Sequence, residues 1–192
     1  MNLQEKRLVE SVLEGNAEAF EPLVVPYRQA LLSLALRMSG NIEEAKEICQ
    51  ETLMRAYKYL NAYDTERSFR NWLLGILMNV ARQHGRKARP AGAGVLTPLS
   101  PEDERQLRAT DDPERDQRQG ELKSMLLDCL DGLSRREREV FLLRDIEERS
   151  IRETAQILHS SSVSVRVHLS AARRKIKDRI REKSPELAEG WK

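Results

Sequence analysis

Between Ser150 and Arg181 the sequence contains two apolar stripes at helical spacing, separated by a short polar His-Ser-Ser turn. The shorter stripe consists of Ile151, Ala155 and Leu158, and the longer one consists of Val165, Leu169, Ala172 and Ile176. Residues at these spacings share one face of an α-helix. Ser150 followed by Glu153 is a capping-box pattern, which starts a helix, and Ser134 followed by Glu137 is another such pattern upstream. The segment therefore predicts a short helix, a turn and a long helix, each with one narrow face to bury.

The longer helix concentrates positive charge in a chain whose net charge is only +2. Residues 160–183 contain eight Lys or Arg and two acidic residues. A short helix before a long basic one is the layout of a helix-turn-helix, whose second helix enters the major groove of DNA. We expect base contacts near the start of that helix and phosphate contacts further along it. A solvated basic helix is the alternative, and the capped helix in front of it disfavours that interpretation.

The first 88 residues show three further strong helical patterns. An apolar face runs through residues 20–38, where Pro26 is expected to kink the helix or break it in two. Asn41 with Glu44 can cap the next helix, which follows Gly40. A third amphipathic stripe begins at Phe69. This part of the chain is predicted to be a small helical bundle.

Residues 89–118 show no sustained period, and they contain four Pro, two Gly and a mostly acidic run. Such a composition is typical of a flexible linker. Loops of this length are uncommon inside one compact domain. The sequence therefore predicts an all-α fold with two small helical domains, residues 1–88 and residues 119–183. The linker joins them, and a tail at residues 184–192 follows.

Several classes of protein are disfavoured by the composition. No stretch approaches the roughly 18 apolar residues of a membrane span, and the N-terminus does not resemble a signal peptide, so we expect a cytoplasmic protein. Cys49 and Cys129 match no metal or redox spacing. No phosphate-binding glycine loop and no nucleophile motif occur. We therefore expect no enzyme activity, metal, cofactor or small-molecule substrate.

Two segments resemble regions of bacterial sigma factors. The resemblance to region two covers "EEAKEICQETLMRAYKYLNAYDTERSFRNWLLGILMNVARQHGRK", and the resemblance to region four covers "LSRREREVFLLRDIEERSIRETAQILHSSSVSVRVHLSAARRKIK". This pair, joined by a short linker without other regions, is similar to the extracytoplasmic-function (group IV) sigma factors. The resemblance implies a subunit of RNA polymerase that binds the core enzyme, recognises two promoter elements and helps to open the DNA. It also implies an anti-sigma factor as a partner.

The resemblance further implies where each partner binds. The beta-prime clamp helices of core polymerase would dock on a polar face that matches the family pattern D-x-x-Q-E, and the beta flap is a second expected contact. The residues implied for core binding are Glu47, Gln50, Glu51 and Arg55. Those implied for the minus-ten DNA are Tyr63, Asp64, Thr65, Glu66, Arg67, Ser68, Arg70, Asn71, Asn79, Arg82, Arg86 and Lys87. Those implied for the minus-thirty-five DNA are Ser161, Ser162, Ser164, Arg166, Val167, His168, Ser170, Arg173, Arg174 and Lys177.

Some of these roles are more specific. The loop "AYDTERS" matches the family loop that holds a flipped base, and Asn79 matches a residue near that pocket. Trp72 lies on the apolar stripe and is interpreted as a core residue. In the family, the linker threads through the core enzyme toward the RNA exit path. Its acidic group, Asp111, Asp112, Glu114 and Asp116, suits such a basic channel. A merely solubilising linker is the alternative.

Region four departs from the family pattern at several positions. The family usually has Gly in the turn, where this chain has His159, and a small residue where it has Val163. A common small polar position is Val167 here. Two common basic positions of the recognition helix are His168 and Ala171 here. We expect the helix-turn-helix backbone to be kept and the minus-thirty-five sequence to be atypical.

A transcriptional activator with the same helix-turn-helix and a helical sensor domain is the alternative function. It explains the C-terminal half equally well, but it explains neither the region-two resemblance nor the polar face of Glu47 to Glu51. A purified activator binds its DNA site without polymerase. A sigma factor generally does not bind well alone.

Overall fold

The computed structural model of the protein describes residues 3–87 and 128–183. These residues belong to two compact units, and no strand occurs among them, as the all-α prediction requires. The predicted linker, residues 89–118, and the predicted tail, residues 184–192, lie outside the described residues. The first residues of the second predicted domain, 119–127, also lie outside them, so the domain boundaries stay predictions.

The described part of the first unit contains four α-helices: α1 (Leu3–Leu13), α2 (Phe20–Ser39), α3 (Ile42–Lys58) and α4 (Phe69–Lys87). Two 3-10 turns, Ala17–Ala19 and Leu60–Ala62, lie between them. Helices α2, α3 and α4 pack on one another, and α1 packs on α2. The core is apolar and tightly closed: Leu34, Ala45, Leu73, Leu77 and Val80 have no exposed surface.

Helix α2 continues through Pro26, so the predicted break is wrong. A proline removes the hydrogen bond to the carbonyl four residues earlier, which here is that of Pro22. Both prolines are exposed and lie near the start of the helix, where water can bond the free carbonyl. The end of α2 follows the prediction, since Gly40 takes a φ of 75° and Asn41 caps α3 through Glu44 N at 3.0 Å.

The described part of the second unit begins with helical residues 128–131, followed by α5 (Arg135–Phe141), α6 (Ile151–Ile157) and α7 (Ser162–Lys183). Helix α5 continues into a π-helical turn, Leu142–Ile146. Helix α7 packs its apolar stripe against α5 and α6. The stripe is the predicted one, and all four of its residues are buried: Val165, Leu169, Ala172 and Ile176.

Both predicted capping boxes are present. The Ser134 amide donates to Glu137 Oε2 at 2.7 Å, and the Glu137 amide donates to Ser134 Oγ at 3.4 Å. The corresponding distances for Ser150 and Glu153 are 2.8 and 3.1 Å. Each pair satisfies two backbone donors that an uncapped helix would leave without partners, which explains why α5 and α6 begin where they do.

Glu137 has a second role, because it also joins α5 to α7. Its Oε2 accepts a hydrogen bond from Lys175 Nζ at 2.7 Å, and its side chain is almost fully buried. Although burial opposes it, the hydrogen bonds from Lys175 and Ser134 keep the pKa of Glu137 below its ordinary value. The ionised carboxylate therefore stabilises the contact between the two helices.

We expect Glu137→Gln to lower the stability of the second unit by about 0.5–1 kcal/mol at neutral pH, because glutamine keeps the cap but loses the charge opposite Lys175. A carboxylate whose pKa is depressed by folding stabilises the protein above its ordinary pKa and loses that contribution as the pH falls. The difference from wild type should therefore shrink below about pH 4.3.

Urea unfolding of the full chain at pH 7 and pH 4, followed by the amide NMR signals of Val140 and Leu169, measures this difference. Glu153→Gln is the matched control, since it makes the same change in the other capping box. A Glu137→Gln effect that is equal at both pH values, or no larger than that of the control, contradicts the assignment.

Candidate polymerase and promoter-DNA surfaces

The predicted polymerase-docking face lies on α3, on the side away from the core. Glu47 and Gln50 are exposed, with 71% of the Glu47 side chain accessible, whereas Glu51 and Arg55 are half-buried. The helix holds this face outward because Ile48 and Thr52 are buried on the opposite side. The Thr52 hydroxyl donates to the Ile48 carbonyl at 2.7 Å, so it needs no partner outside its own helix. We call Glu47, Gln50, Glu51 and Arg55 the docking face.

Two α4 residues that the sequence did not single out hold the docking face in place. His84 Nε2 lies 2.8 Å from Glu51 Oε2, and Arg55 Nη2 bonds both Glu51 Oε1 and Gln83 Oε1. An ionised carboxylate only accepts, so His84 Nε2 carries the hydrogen of this bond. The bond from His84 and the bond and charge of Arg55 lower the pKa of Glu51 against the effect of partial burial. Glu51 is therefore ionised and fixed in orientation.

The predicted minus-ten loop is supported from below by an aromatic cluster. Tyr63 is only 7% exposed, and its ring centroid lies 5.3 Å from that of Phe69 and 5.0 Å from that of Trp72. Its hydroxyl donates to the Arg67 carbonyl at 2.6 Å, and burial raises its pKa to about 12. Tyr63 therefore shapes the loop from inside, and its expected role at the minus-ten DNA stays a prediction. Trp72 is half-buried in the same cluster.

The rest of the loop is ordered by Asp64 and Ser68. Asp64 accepts hydrogen bonds from the Glu66 amide and from Arg67 Nε, both at 3.1 Å. Ser68 Oγ accepts from the Asn71 amide at 3.3 Å at the start of α4. Glu66 and Arg67 are exposed, while Thr65 is half-buried. The loop thus presents its tip to solvent while both of its ends are fixed.

Helix α4 carries the remaining predicted minus-ten residues. Asn79 is exposed and accepts a hydrogen bond from Arg82 Nη1 at 3.1 Å. The other residues of this group with described side chains are half-buried: Arg70, Asn71 and Arg82. The group also includes Arg86 and Lys87, which lie in the last turn of α4 and whose side chains are outside the described part of the structure.

The turn before the long basic helix contains a backbone conformation that usually favours glycine. His159 has a φ of 49°, in the left-handed region, at the position where the family usually has Gly. Its amide donates to the Gln156 carbonyl at 3.2 Å, and the Ser160 amide donates to the Ala155 carbonyl at 2.9 Å. These bonds close the end of α6. The predicted helix-turn-helix backbone is therefore formed without the glycine.

The predicted minus-thirty-five residues lie on two parts of α7: the side opposite the buried stripe, and the flanks beside it. Ser161 caps the helix through the Ser164 amide at 3.1 Å. Because a helix turns about 100° per residue, four residues between 162 and 177 lie opposite the buried stripe. This outer line consists of Val163, Val167, Ser170 and Arg174, all of them exposed. Arg166 is exposed on one flank, while Ser162, Ser164, His168 and Lys177 are half-buried.

Arg173 differs from its neighbour Arg174 because it has an acidic partner inside the unit. Its Nε and Nη2 donate to the two carboxylate oxygens of Asp145 at 2.8 and 2.6 Å. These bonds raise the pKa of the guanidinium further. Arg174 forms no ion pair with any described carboxylate. Arg174 is thus the better placed of the two to reach phosphate, a difference that the sequence did not predict.

Neither cysteine offers a reactive site. Cys49 and Cys129 are free and buried, and burial raises the pKa of both thiols. No cluster of three metal-ligating side chains is found among the described residues. In the same residues, no helix is long and apolar enough to span a membrane.

Comparison with known proteins matches both units to one family. The family model described as Sigma-70 region 2 matches residues 23–90, and that described as Sigma-70, region 4 matches residues 123–176. Two solved structures share the fold. They are CnrH in complex with the cytosolic domain of CnrY (TM-score 0.68, 24% identity, 94% of this chain and 99% of that one) and RpoE in complex with the anti-sigma factor NepR from Bartonella quintana (TM-score 0.65, 20% identity, 84% and 96%).

Two curated relatives match over most or all of their length. The chain is 29% identical over 191 residues to the ECF RNA polymerase sigma factor SigW of Bacillus subtilis, covering 95% of this chain and all of the relative. It is 28% identical over 177 residues to the RNA polymerase sigma-H factor of Pseudomonas aeruginosa, covering 90% and 92%. The two family models together span more than half of the sequence. The chain therefore belongs to the extracytoplasmic-function group of the sigma-70 family, and it directs promoter-specific initiation of transcription by core RNA polymerase.

Proposed function

We propose that this sigma factor binds core polymerase through the docking face of α3, contacts the minus-ten element through the loop of Asp64 to Ser68 and helix α4, and reads the minus-thirty-five element through α7. The observation that carries the proposal is that each of these surfaces lies outside a closed apolar core. The polar residues on them are not needed to complete that core. The protein itself catalyses no reaction and acts where the polymerase is, in the cytoplasm.

The docking face suits a basic helical partner for electrostatic reasons. Glu47 and Glu51 carry negative charge on one side of α3, and Gln50 between them can both donate and accept hydrogen bonds. The bonds from His84 and Arg55 fix Glu51 before the partner arrives. Less conformational entropy is lost when the side chains are already ordered, so binding is stronger for the same contacts. This arrangement supports the beta-prime clamp helices as the partner.

The region-two loop and α4 have the chemistry needed to hold unpaired DNA. The exposed loop tip contains the carboxylate of Asp64, the backbone amide of Glu66 and the guanidinium of Arg67. Hydrogen bonds to Asp64 hold these groups in a fixed arrangement. Extruding a base from the stack costs a few kcal/mol, which contacts in a pocket must offset. A loop that is already ordered from below by Tyr63 loses little entropy on binding. Arg82, with Arg86 and Lys87, is proposed to contact phosphates near this loop.

An anti-sigma factor is proposed as a further partner. The two solved structures named above are described as complexes, one of them with a protein named as an anti-sigma factor. A protein that covers the docking face or the outer line of α7 would prevent promoter recognition. Competition between core polymerase and a candidate inhibitor for the wild-type chain tests this proposal.

Run-off transcription with purified core polymerase tests the function as a whole. The template is the promoter region of this protein's own operon. We expect transcripts from a defined start only when the chain is added. An activator would instead bind its DNA site alone and would stimulate only a polymerase that already carries another sigma factor. That result would favour the alternative function.

We predict that Glu47→Lys weakens binding to core polymerase by about 1–2 kcal/mol, or roughly ten-fold, because it places a like charge against a basic partner. Glu47 is the cleaner position for this test, since its carboxylate lies 4.0 Å from His84 on α4, whereas Glu51 is within hydrogen-bond distance of His84 at 2.8 Å. Competition for core polymerase against a labelled sigma factor measures the change. Glu14→Lys makes the same charge change at an exposed position outside α3 and should bind as wild type does. Equal affinities for both variants would remove α3 as the docking helix.

We also predict that the basic residues of α7 act unequally on DNA. In holoenzyme, Arg166→Ala should cost about 1–3 kcal/mol on the preferred minus-thirty-five sequence and little on a scrambled one. Arg174→Ala should weaken both complexes similarly and lower the salt slope by about one unit, as expected for a phosphate contact. Arg173→Ala should change the slope less, because Asp145 already holds its donors.

Promoter binding over a salt series on both DNAs distinguishes the three variants. Equal losses on the two DNAs for Arg166→Ala would mean that this residue contacts only phosphate. A larger change in slope for Arg173 than for Arg174 would mean that the pair with Asp145 opens on DNA.

A further inference from the structure

The start of α7 exposes an apolar pair that the core does not use. Val163 is 66% exposed and Val167 is 61% exposed, and both lie on the outer line. Residues four apart on a helix are neighbours, with Cβ atoms about 5–6 Å apart. The two valines therefore form one patch, which we call the valine pair. The buried stripe on the other side of the helix provides the apolar contacts of α7 with α5 and α6, and neither valine belongs to it.

The charge around the valine pair favours nucleic acid as its partner. Residues 162–177 contain no Asp or Glu, and Arg166 and Arg174 are exposed near the pair. A polyanion is attracted to such a surface, and neutralised phosphates hold the helix in the groove. The pair also lies in the first turns of the second helix of a helix-turn-helix. These turns are the part that contacts base edges.

Valine can discriminate between bases because its side chain has no hydrogen-bonding group. In the major groove, thymine alone presents a C5-methyl group, whereas guanine presents two acceptors and cytosine presents an amino donor. Contact between a valine side chain and the thymine methyl group is favourable, because both are apolar. When valine displaces water from a polar base edge, the donor or acceptor on that edge loses its hydrogen-bond partner. The pair should therefore select thymine, on either strand, over guanine and cytosine. Successive bases are about 3.4 Å apart along a strand, so the pair spans one to two base steps.

We propose that Val163 and Val167 determine part of the minus-thirty-five specificity by packing on the methyl groups of two thymines no more than two base steps apart. This proposal rests on the proposed role of α7 in reading that element. It gives a physical reason for an atypical minus-thirty-five sequence, because two side chains without hydrogen-bonding groups stand where the family has small or small polar residues.

The first part of the test identifies the sequence that the protein selects. Holoenzyme, assembled from core polymerase and the full chain, is used to select from promoters with a fixed minus-ten region and a randomised minus-thirty-five region. We expect enrichment of two thymines separated by at most two base steps. The double variant Val163→Ala/Val167→Ala should lose that enrichment. Both positions are exposed, and alanine favours helix more than valine does, so the variant keeps its fold.

The second part removes only the methyl groups. Each selected thymine is replaced by deoxyuridine, which has the same hydrogen-bonding groups. Wild-type holoenzyme should bind each uracil promoter about four-fold more weakly, the effect of one buried methyl group. The double variant should bind thymine and uracil promoters equally. Val25→Ala, the same change at an exposed position outside α7, is the matched control and should keep the preference for thymine.

Three results would overturn the inference while leaving the proposed function intact. They are a selected sequence without such thymines, equal binding of thymine and uracil promoters by wild type, and an unchanged thymine preference in the double variant. A double variant that assembles less holoenzyme, with no change in the thymine preference, would identify the pair as a protein contact instead. A wild-type chain that forms no promoter-binding holoenzyme would overturn both the inference and the proposed function.

Discussion

Each helix of the described chain has a single apolar face to bury, and the whole structure depends on that constraint. Apolar residues make up 40% of the sequence and charged residues 33%, so every helix keeps a broad polar side in water. In α3 that side carries the docking face, and in α7 it carries the outer line. Burial of the apolar face sets the rotation of each helix about its axis. The packing of the core therefore also decides which residues a partner can reach.

Polar contacts between helices then refine this arrangement. Glu51 is bonded to His84 between α3 and α4, and Glu137 to Lys175 between α5 and α7. Each carboxylate also has a second partner close in the sequence. Arg55 of the same helix bonds Glu51, and the Ser134 amide of the helix cap bonds Glu137. A carboxylate that is partly or almost fully buried and has two partners is fixed in direction, and its desolvation is offset by charge-assisted bonds. In α3 the same bonds orient a proposed polymerase contact.

The recognition helix shows how the same principle separates residues that look equivalent in the sequence. Arg173 and Arg174 are adjacent, yet one faces Asp145 and the other faces solvent. Val163 and Val165 are two residues apart, and one is exposed while the other is buried. The outer line combines an apolar pair with a cation further along. A helix with this pattern can position itself on phosphates through one part and discriminate bases through another.

The sequence by itself determined what depends on near neighbours. Apolar periods, the two capping boxes and Gly40 predicted the helices, their starts and the end of α2, because those interactions join residues within about one turn. Tertiary structure alone decided what joins distant positions. His84 bonds Glu51 across 33 residues, Arg173 bonds Asp145 across 28, and the aromatic cluster takes Tyr63 out of solvent. No local pattern contains these outcomes, because they depend on which helix lies opposite.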